Sequence, residues 1–462
     1  MATHYDAIII GAGQGGVPLA TTLANVGWKI ALVECEHVGG TCINEGCTPS
    51  KTMAASARVA YLARRSADYG VRTGPVTVDM AVVRKRKRDI VDSFRNSSQK
   101  RLESTEGLDL LMGIARFLAP KMLEISLNSG EKRQVTADTI FIDIGARPAP
   151  LHLPGIETVS VLNSTSVMEL DTVPEHLLAI GGGYTGLEFG QMFRRFGSQV
   201  TIIQRGPQLL SREDADVAQQ VENILREDGI EVLLQTTPSS VRRSSDGKIA
   251  LTVRTAEGER TVTGSHLLSL IGRTPNTDLL NGEAAGIKLN QRGYIVVNQK
   301  LETNVPGIYA LGEVTGEPAF THISYDDFRL LRTNLLEKGN ASTKDRLVPY
   351  TVFIDPQLGR VGLSEQEARS QGRNINIARM PMNYVARALE VDEARGSMKV
   401  IVDADTGQIL GAAILGFEGG EIMAMLEIAM LGKVPYTVLQ EAIFAHPTLA
   451  ESLNNLFGRF ED

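Results

Sequence analysis

Tyr5-Asp6-Ala7-Ile8-Ile9-Ile10-Gly11-Ala12-Gly13-Gln14-Gly15-Gly16 reads as a buried strand that runs straight into a glycine turn. An Ala, Leu and Thr-rich helix follows, then a second strand, Lys29 to Val33, closed by Glu34. In this βαβ pattern Gly11 permits the tight turn, Gly13 lets the backbone approach a pyrophosphate and Gly16 lets helix pack on strand. Glu34 is placed to bind ribose hydroxyls. The unit recurs: strand Leu178-Ala179-Ile180 meets Gly181-Gly182-Gly183-Tyr184-Thr185-Gly186, then a helix from Leu187 to Phe196 and a strand from Gln199 to Ile203. The first glycine and the ribose position lie 23 residues apart both times, 11 to 34 and 181 to 204. In the second copy the acid is missing. Gln204 takes its place, Arg205 follows and Arg212 lies a few residues on. A carboxylate there would repel a 2′-phosphate and arginine attracts one, so the second site is expected to prefer NADPH, with NADH possible.

Between the two copies stands Gly39-Gly40-Thr41-Cys42-Ile43-Asn44-Glu45-Gly46-Cys47-Thr48-Pro49-Ser50-Lys51, which holds two of the three cysteines; the third is Cys35. A structural disulfide framework is therefore excluded. Five residues of regular helix rise roughly 7.5 Å, whereas a disulfide needs Cα atoms about 4.4 to 6.8 Å apart, so Cys42 and Cys47 can close only across a distorted turn. Gly46 supplies that freedom. Thr48 then Pro49 reads as an N-cap and first helical residue of a helix running through Ser50 to Ala67. Cys47 would stand at the helix N-terminus, where the dipole and Lys51 favour a thiolate. The competing readings are a small buried apolar cysteine or half of a zinc site, but zinc prefers CxxC-like spacing with further ligands and none follow, so no metal is expected. Two dinucleotide folds beside a dithiol imply a relay from nicotinamide to FAD to disulfide.

With 462 residues, several domains are expected. A 43% hydrophobic content and 45 glycines suit a soluble α/β protein rich in tight turns. Net charge is -7 with basic residues spread along the chain, which argues against a nucleic-acid partner. The basic run Arg84 to Arg88 lies in a predicted helix from Met80 to Glu103 and reads as a solvated face. The N-terminus is polar, no apolar stretch approaches spanning length, and cysteines are few, so a cytoplasmic location without membrane contact is expected.

These residues resemble the class I pyridine nucleotide-disulfide oxidoreductases, the group of dihydrolipoamide dehydrogenase, glutathione reductase and mercuric reductase, across essentially the whole chain. The Gly39 to Lys51 string is the most specific mark. Supporting it are Gly145-Ala146-Arg147-Pro148, Gly181 to Glu188, Gly272-Arg273-Thr274-Pro275-Asn276, Ile308 to Glu313 and His446-Pro447-Thr448-Leu449-Ala450-Glu451. The resemblance implies that Cys42 is the interchange thiol and Cys47 the thiol facing the flavin. It also implies Lys51 near the flavin paired with Glu188, Tyr184 as an aromatic gate, and His446 as the acid-base catalyst oriented by Glu451, reaching the dithiol of the other subunit of a homodimer. Gly40, Thr41, Gly145, Arg273 and Glu313 would join the FAD set, and Gly272 the NADPH set. Thr448 to Glu451 also reads as a capping box, which would leave His446 merely the residue before a proline. Catalysis is the favoured reading, because an imidazole titrating near neutral pH suits thiol chemistry. Two positions depart from the family pattern: Glu313 stands where aspartate is usual, and Asp143 where small or hydroxyl residues are.

The expected fold is α/β, with two Rossmann-like dinucleotide-binding domains and a C-terminal α+β dimerisation domain. The expected boundaries are 1–148 for FAD and dithiol, 149–272 for NAD(P)H, 273–345 returning to the FAD domain, and 346–462 for the interface. Detoxifying mercuric reductases carry a vicinal cysteine pair at the C-terminus, whereas this sequence reads Leu456-Phe457-Gly458-Arg459-Phe460-Glu461-Asp462. The expected activity is reduction of a small disulfide or related oxidant by NADPH through FAD and the dithiol. Alternatives are an NAD-dependent dihydrolipoamide dehydrogenase, an Hg(II) reductase lacking the C-terminal pair, or, from another class, a redox-sensing interaction protein.

Overall fold

Ile8, Ile9 and Ile10 are buried within β1 (Thr3–Ile10), which sits between two parallel neighbours, β2 (Ile30–Glu34) and β5 (Lys132–Ile142). Every residue of β2 is buried, as expected of a parallel strand covered on both faces. The computed structural model describes residues 2–316 and 318–461. Between β1 and β2 runs α1 (Gly16–Asn25), whose Leu19, Ala20 and Leu23 face the core with Phe328 and Leu331 of the Thr321–Leu336 helix. The strand β3 (Leu108–Ala119) pairs in parallel with β2 through its first residues and antiparallel with β4 (Met122–Leu127) through its last. The short strand Ile308–Ala310 completes this six-stranded sheet by pairing in parallel with β5.

The chain divides into two units. One comprises Met1–Met53, Ala81–Ala149 and Ile271–Arg346, and holds the six-stranded sheet and the small antiparallel pair Ala146–Pro148 with Arg273–Pro275. The other comprises Ala54–Met80, Pro150–Leu270 and Leu347–Asp462. Within it lies a parallel five-stranded sheet built around His176–Ile180, flanked by Gln199–Ile203 and His266–Ser269. An antiparallel three-stranded sheet spans residues 237–264. From Tyr350 onward an antiparallel five-stranded sheet carries the Gly419–Leu431 helix. The architecture is α/β with a C-terminal α+β portion, as the sequence predicts.

Two local expectations are corrected. The dithiol helix α3 begins at Cys47 and ends at Arg64, so Thr48 is inside its first turn rather than capping it. Gly46 serves the start instead, its carbonyl accepting from the Ser50 N–H at 3.1 Å, and Pro49 loses nothing in a turn whose N–H groups have no helical partner. Nor is the basic run of α4 (Met80–Glu103) wholly solvated: Lys87 is 3% exposed and Arg86 donates to the Thr52 carbonyl at 2.8 Å. The Lys87 stem lies on the buried face of the helix with Met80 and Val91.

Candidate active site

Glycine geometry makes the two glycine loops equivalent, each within its own unit. Gly11 and Gly181 have φ of +105° and +122°, and a Cβ at either would lie 2.2 or 2.4 Å from a strand-end carbonyl, Asp143 O or Leu270 O. A Cβ on Gly16 or Gly186 would lie 2.2 or 2.0 Å from the carbonyl of the first glycine of its own loop. At the ribose position, Glu34 accepts from the Ala12 N–H at 2.9 Å and Gln204 from the Gly182 N–H at 3.1 Å. The repeated spacing in sequence is thus a repeated geometry. Glu34 also accepts from the Glu36 N–H at 2.8 Å, so its carboxylate is held at the loop mouth. Gly183 differs from Gly13: a Cβ there would meet nothing within 4 Å, so the space beside it stays open for a ligand.

The dithiol segment packs on the first loop. A Cβ on Gly40 would lie 2.9 Å from Gly13 Cα, and the Gln14 side chain donates to the Gly39 carbonyl at 3.1 Å. Cys42 lies in the short helix α2 (Gly40–Asn44), where Thr41 is exposed and its carbonyl accepts from the Glu45 N–H at 2.9 Å. Cys47 is the first residue of α3 and is exposed, while Cys42 is half-buried. The Cys47 Sγ stands 3.5 Å from Thr321 Oγ1, at the start of the Thr321–Leu336 helix. Its hydrogen bond with Cys47 and then burial push the Cys42 thiol up, and the Thr321 hydroxyl and the Lys51 charge pull it down. One thiol of the pair therefore holds the proton that the other gives up.

Arg273 and Glu313 form an ion pair, Nε to Oε1 at 2.6 Å. Gly145 accepts at its carbonyl from the Asn276 N–H at 3.1 Å, and Gly272 from the Ala149 N–H at 3.0 Å. These contacts tie the returning strand to the first unit. The first loop fits a dinucleotide: Gly11, Gly13 and Gly16 leave no room for side chains against the strand end at Asp143, Gly40 comes close to Gly13, and Glu34 is fixed at the far end of the turn.

In the other unit, Tyr184 is 41% exposed at the first turn of the Tyr184–Phe196 helix, and Glu188 accepts from the Phe353 N–H at 2.9 Å. Arg205 is exposed. Arg212 is exposed too, and its charge acts on the Tyr350 phenol, which donates to Glu213. His446 Nδ1 faces both Glu451 oxygens at 3.1 and 2.9 Å. Thr448 Oγ1 accepts from the Glu451 N–H at 3.3 Å, so only half of a capping box forms and the Glu451 carboxylate turns to the imidazole instead.

Thr321 is the residue that motif reading missed. It lies 274 positions from Cys47, and a threonine at a helix start looks like any other helix start. Asp143 was visible only as an oddity of the family pattern. In the structure it is buried against the first glycine loop, with Oδ2 accepting from the Gly16 N–H at 2.7 Å.

Comparison with known proteins places this geometry in context. Residues 5–327 match the family described as pyridine nucleotide-disulphide oxidoreductase, and residues 348–457 match its dimerisation domain. The chain is 38% identical over 458 residues to the probable pyridine nucleotide-disulfide oxidoreductase RclA of Escherichia coli, covering 98% of this chain and 99% of that one. To the mercuric reductase of Streptomyces lividans it is 35% identical, covering 98% and 95%. A solved Cu(II) complex of the HOCl-induced flavoprotein disulfide reductase RclA from Escherichia coli superposes with a TM-score of 0.90 at 36% identity, covering 99% of each chain.

Proposed function

The chain belongs to the pyridine nucleotide-disulphide oxidoreductases, enzymes that use FAD and NAD(P)H, and on that footing we propose that it moves electrons from NADPH to the Cys42–Cys47 pair and on to a small disulfide or related oxidant. The observation that carries the reading is the packing of the dithiol segment on the first glycine loop, through Gly40 against Gly13 and Gln14 to Gly39. FAD bound at that loop would supply the exchange of a hydride for a pair of electrons. Glu34 and the Gly11–Gly16 turn would hold it, and Gln204, Arg205 and the Gly181–Gly186 turn would hold NADPH, with Tyr184 beside the nicotinamide and Gly272 and Arg212 at its margins.

The chain's own residues then run the sulfur chemistry. Cys42 gives its proton to His446 and attacks one sulfur of the substrate disulfide, forming a mixed disulfide and releasing the second sulfur as a thiolate, which takes that proton back. Cys47 attacks Cys42, the substrate's remaining thiol leaves, and the protein disulfide now holds the oxidising equivalents. Two electrons have passed to the substrate and two must be replaced by NADPH. His446 suits the proton step because Glu451 can only accept, so Nδ1 carries a hydrogen and Nε2 is the atom left to exchange a proton. The face that receives His446 belongs to the second subunit of a homodimer.

Purified protein reduced by NADPH and offered oxidised glutathione, lipoamide, other small disulfides and quinones tests the proposal. Turnover with a disulfide that survives in Cys42→Ser would sink the mechanism, and faster flavin reduction by NADH than by NADPH would reverse the coenzyme assignment. A metal-ion oxidant is a second reading, favoured by the Cu(II) complex of one relative and the mercuric reductase activity named for another. Among the described residues no group of three or more His, Cys, Asp or Glu side chains is arranged to hold a metal, so Hg(II) or Cu(II) would have to be met by the two sulfurs alone. Both ions belong in the same screen.

A further inference from the structure

Asp143 follows the last residue of β5, in a place that is unusual for a carboxyl group. Its side chain fills the gap between the first glycine loop and the helix behind it. Oδ2 accepts from the Gly16 N–H at 2.7 Å, and a Cβ on Gly13 would lie 2.7 Å from that same oxygen. Oδ1 lies 3.5 Å from Ser324 Oγ, and a Cβ on Gly312 would lie 2.8 Å from it. The carboxyl is therefore clamped on four sides by backbone and a hydroxyl, and among the described residues no cation is bonded to it.

The charged groups around it are mostly of its own sign. From the Thr321–Leu336 helix Asp327 faces it, and from β2 Glu34 does. Arg346 is the cation nearby, but it is committed to Asp327 at 2.7 Å, and Asp327 also accepts from the Gly312 N–H at 2.8 Å. On the adjoining turn, Glu313 and Arg273 neutralise each other. The loop itself brings backbone N–H groups and Gln14, and no charged side chain. Burial pushes the Asp143 carboxyl up to about 8, against the opposing pull of the Gly16 and Gly15 N–H groups and with a further push from Asp327 and Glu34.

The loop is where the proposed function seats the diphosphate of FAD, and the inference rests on that reading. A diphosphate brings two more negative charges to a spot that already has three carboxyl groups and one engaged arginine. We infer that Asp143 makes FAD binding proton-linked: the loop takes up the cofactor with Asp143 neutral and loses its grip as Asp143 ionises. By linkage, a ligand that favours the protonated form must take up a proton when it binds at a pH where the free protein is ionised. Asparagine keeps the shape and the acceptor oxygen while removing the charge, so Asp143→Asn isolates the effect.

The test is titration of the full-length apoprotein with FAD at pH 7, 8 and 9, followed by flavin fluorescence, for the natural protein and Asp143→Asn. The Kd of the natural protein should rise about tenfold from pH 7 to pH 9, while that of Asp143→Asn changes less than about twofold. Calorimetry at pH 8 in two buffers of different ionisation enthalpy should show uptake of about half a proton per FAD bound by the natural protein. This second measurement decides the matter even if the variant does not hold FAD. Failure of the natural protein to bind FAD at pH 7 would overturn the cofactor reading itself. Binding with the same Kd at pH 7 and 9 and no proton uptake would overturn the inference and leave that reading standing, as would an equal weakening in Asp143→Asn.

Discussion

Thr321 shows how much one hydroxyl decides at the dithiol. It stands 3.5 Å from Cys47 Sγ and pulls the Cys42 thiol down against the hydrogen bond with Cys47 and burial. Thr321→Val should raise the pH midpoint for alkylation of the reduced dithiol by iodoacetamide by about one unit, while Thr321→Ser keeps the natural profile. An unchanged midpoint in the valine variant would leave the hydroxyl without a role. Asp143 makes a second prediction, on stability. Its folded-state pKa is raised to about 8 from a carboxyl's ordinary 3.8, so its contribution is fully present at pH below the ordinary range and is lost as pH rises toward 8. Asp143→Asn apoprotein should therefore gain on the natural apoprotein by about 1.4 kcal/mol per pH unit at most through that window, read from urea midpoints at pH 5, 6.5 and 8. Parallel midpoints at all three values would contradict the burial argument.

At the scale of the element, the two βαβ units separate glycines that the fold requires from glycines that a ligand requires. Gly186 has Gly181 O where its Cβ would go, at 2.0 Å, and a carbonyl in a strand-to-helix turn cannot move aside. Gly186→Ala should lower stability by about 3 kcal/mol. Gly183 has empty space instead, and Gly183→Ala should fold with the natural thermal midpoint while raising the KM for NADPH about tenfold, because the added methyl occupies ligand volume. Equal stability of the two variants would undo this distinction. The start of α3 teaches a related lesson: Thr48-Pro49 has the chemistry of a cap and first helical residue, yet the helix begins two residues earlier, at Cys47, with the Gly46 carbonyl accepting the Ser50 N–H.

For the whole molecule, the C-terminal portion leaves Ile428, Leu431, Val438 and Ile443 exposed, the last completely, within the span that matches the dimerisation domain. Apolar side chains of this size gathered in one span are what an obligate interface covers. The His446–Glu451 pair lies in the same portion and is exposed, 67% for the histidine side chain. If His446 serves the partner's dithiol, coexpression of Cys42→Ser with His446→Gln should yield hybrid dimers with one intact site each. The mixture would then show about a quarter of natural activity although neither variant is active alone. No recovery in isolated hybrids would place His446 with the dithiol of its own chain.

The sequence by itself determined both glycine loops, the dithiol and the order of strands and helices around them. Each of these is a local pattern, in which glycine, cysteine and strand residues act within about thirty positions of one another. The Glu34 and Gln204 positions were legible for the same reason: a fixed offset from a glycine turn is carried by the backbone between them. Tertiary structure alone decided which groups share an environment. It put Thr321 against Cys47, buried Asp143 under the first loop beside Asp327, sank Lys87 in a run that looked wholly solvated, and turned Glu451 toward His446 instead of back onto its helix. Those outcomes depend on contacts between distant segments and on the loss of water around them, and neither quantity is written in the spacing of residues along the chain.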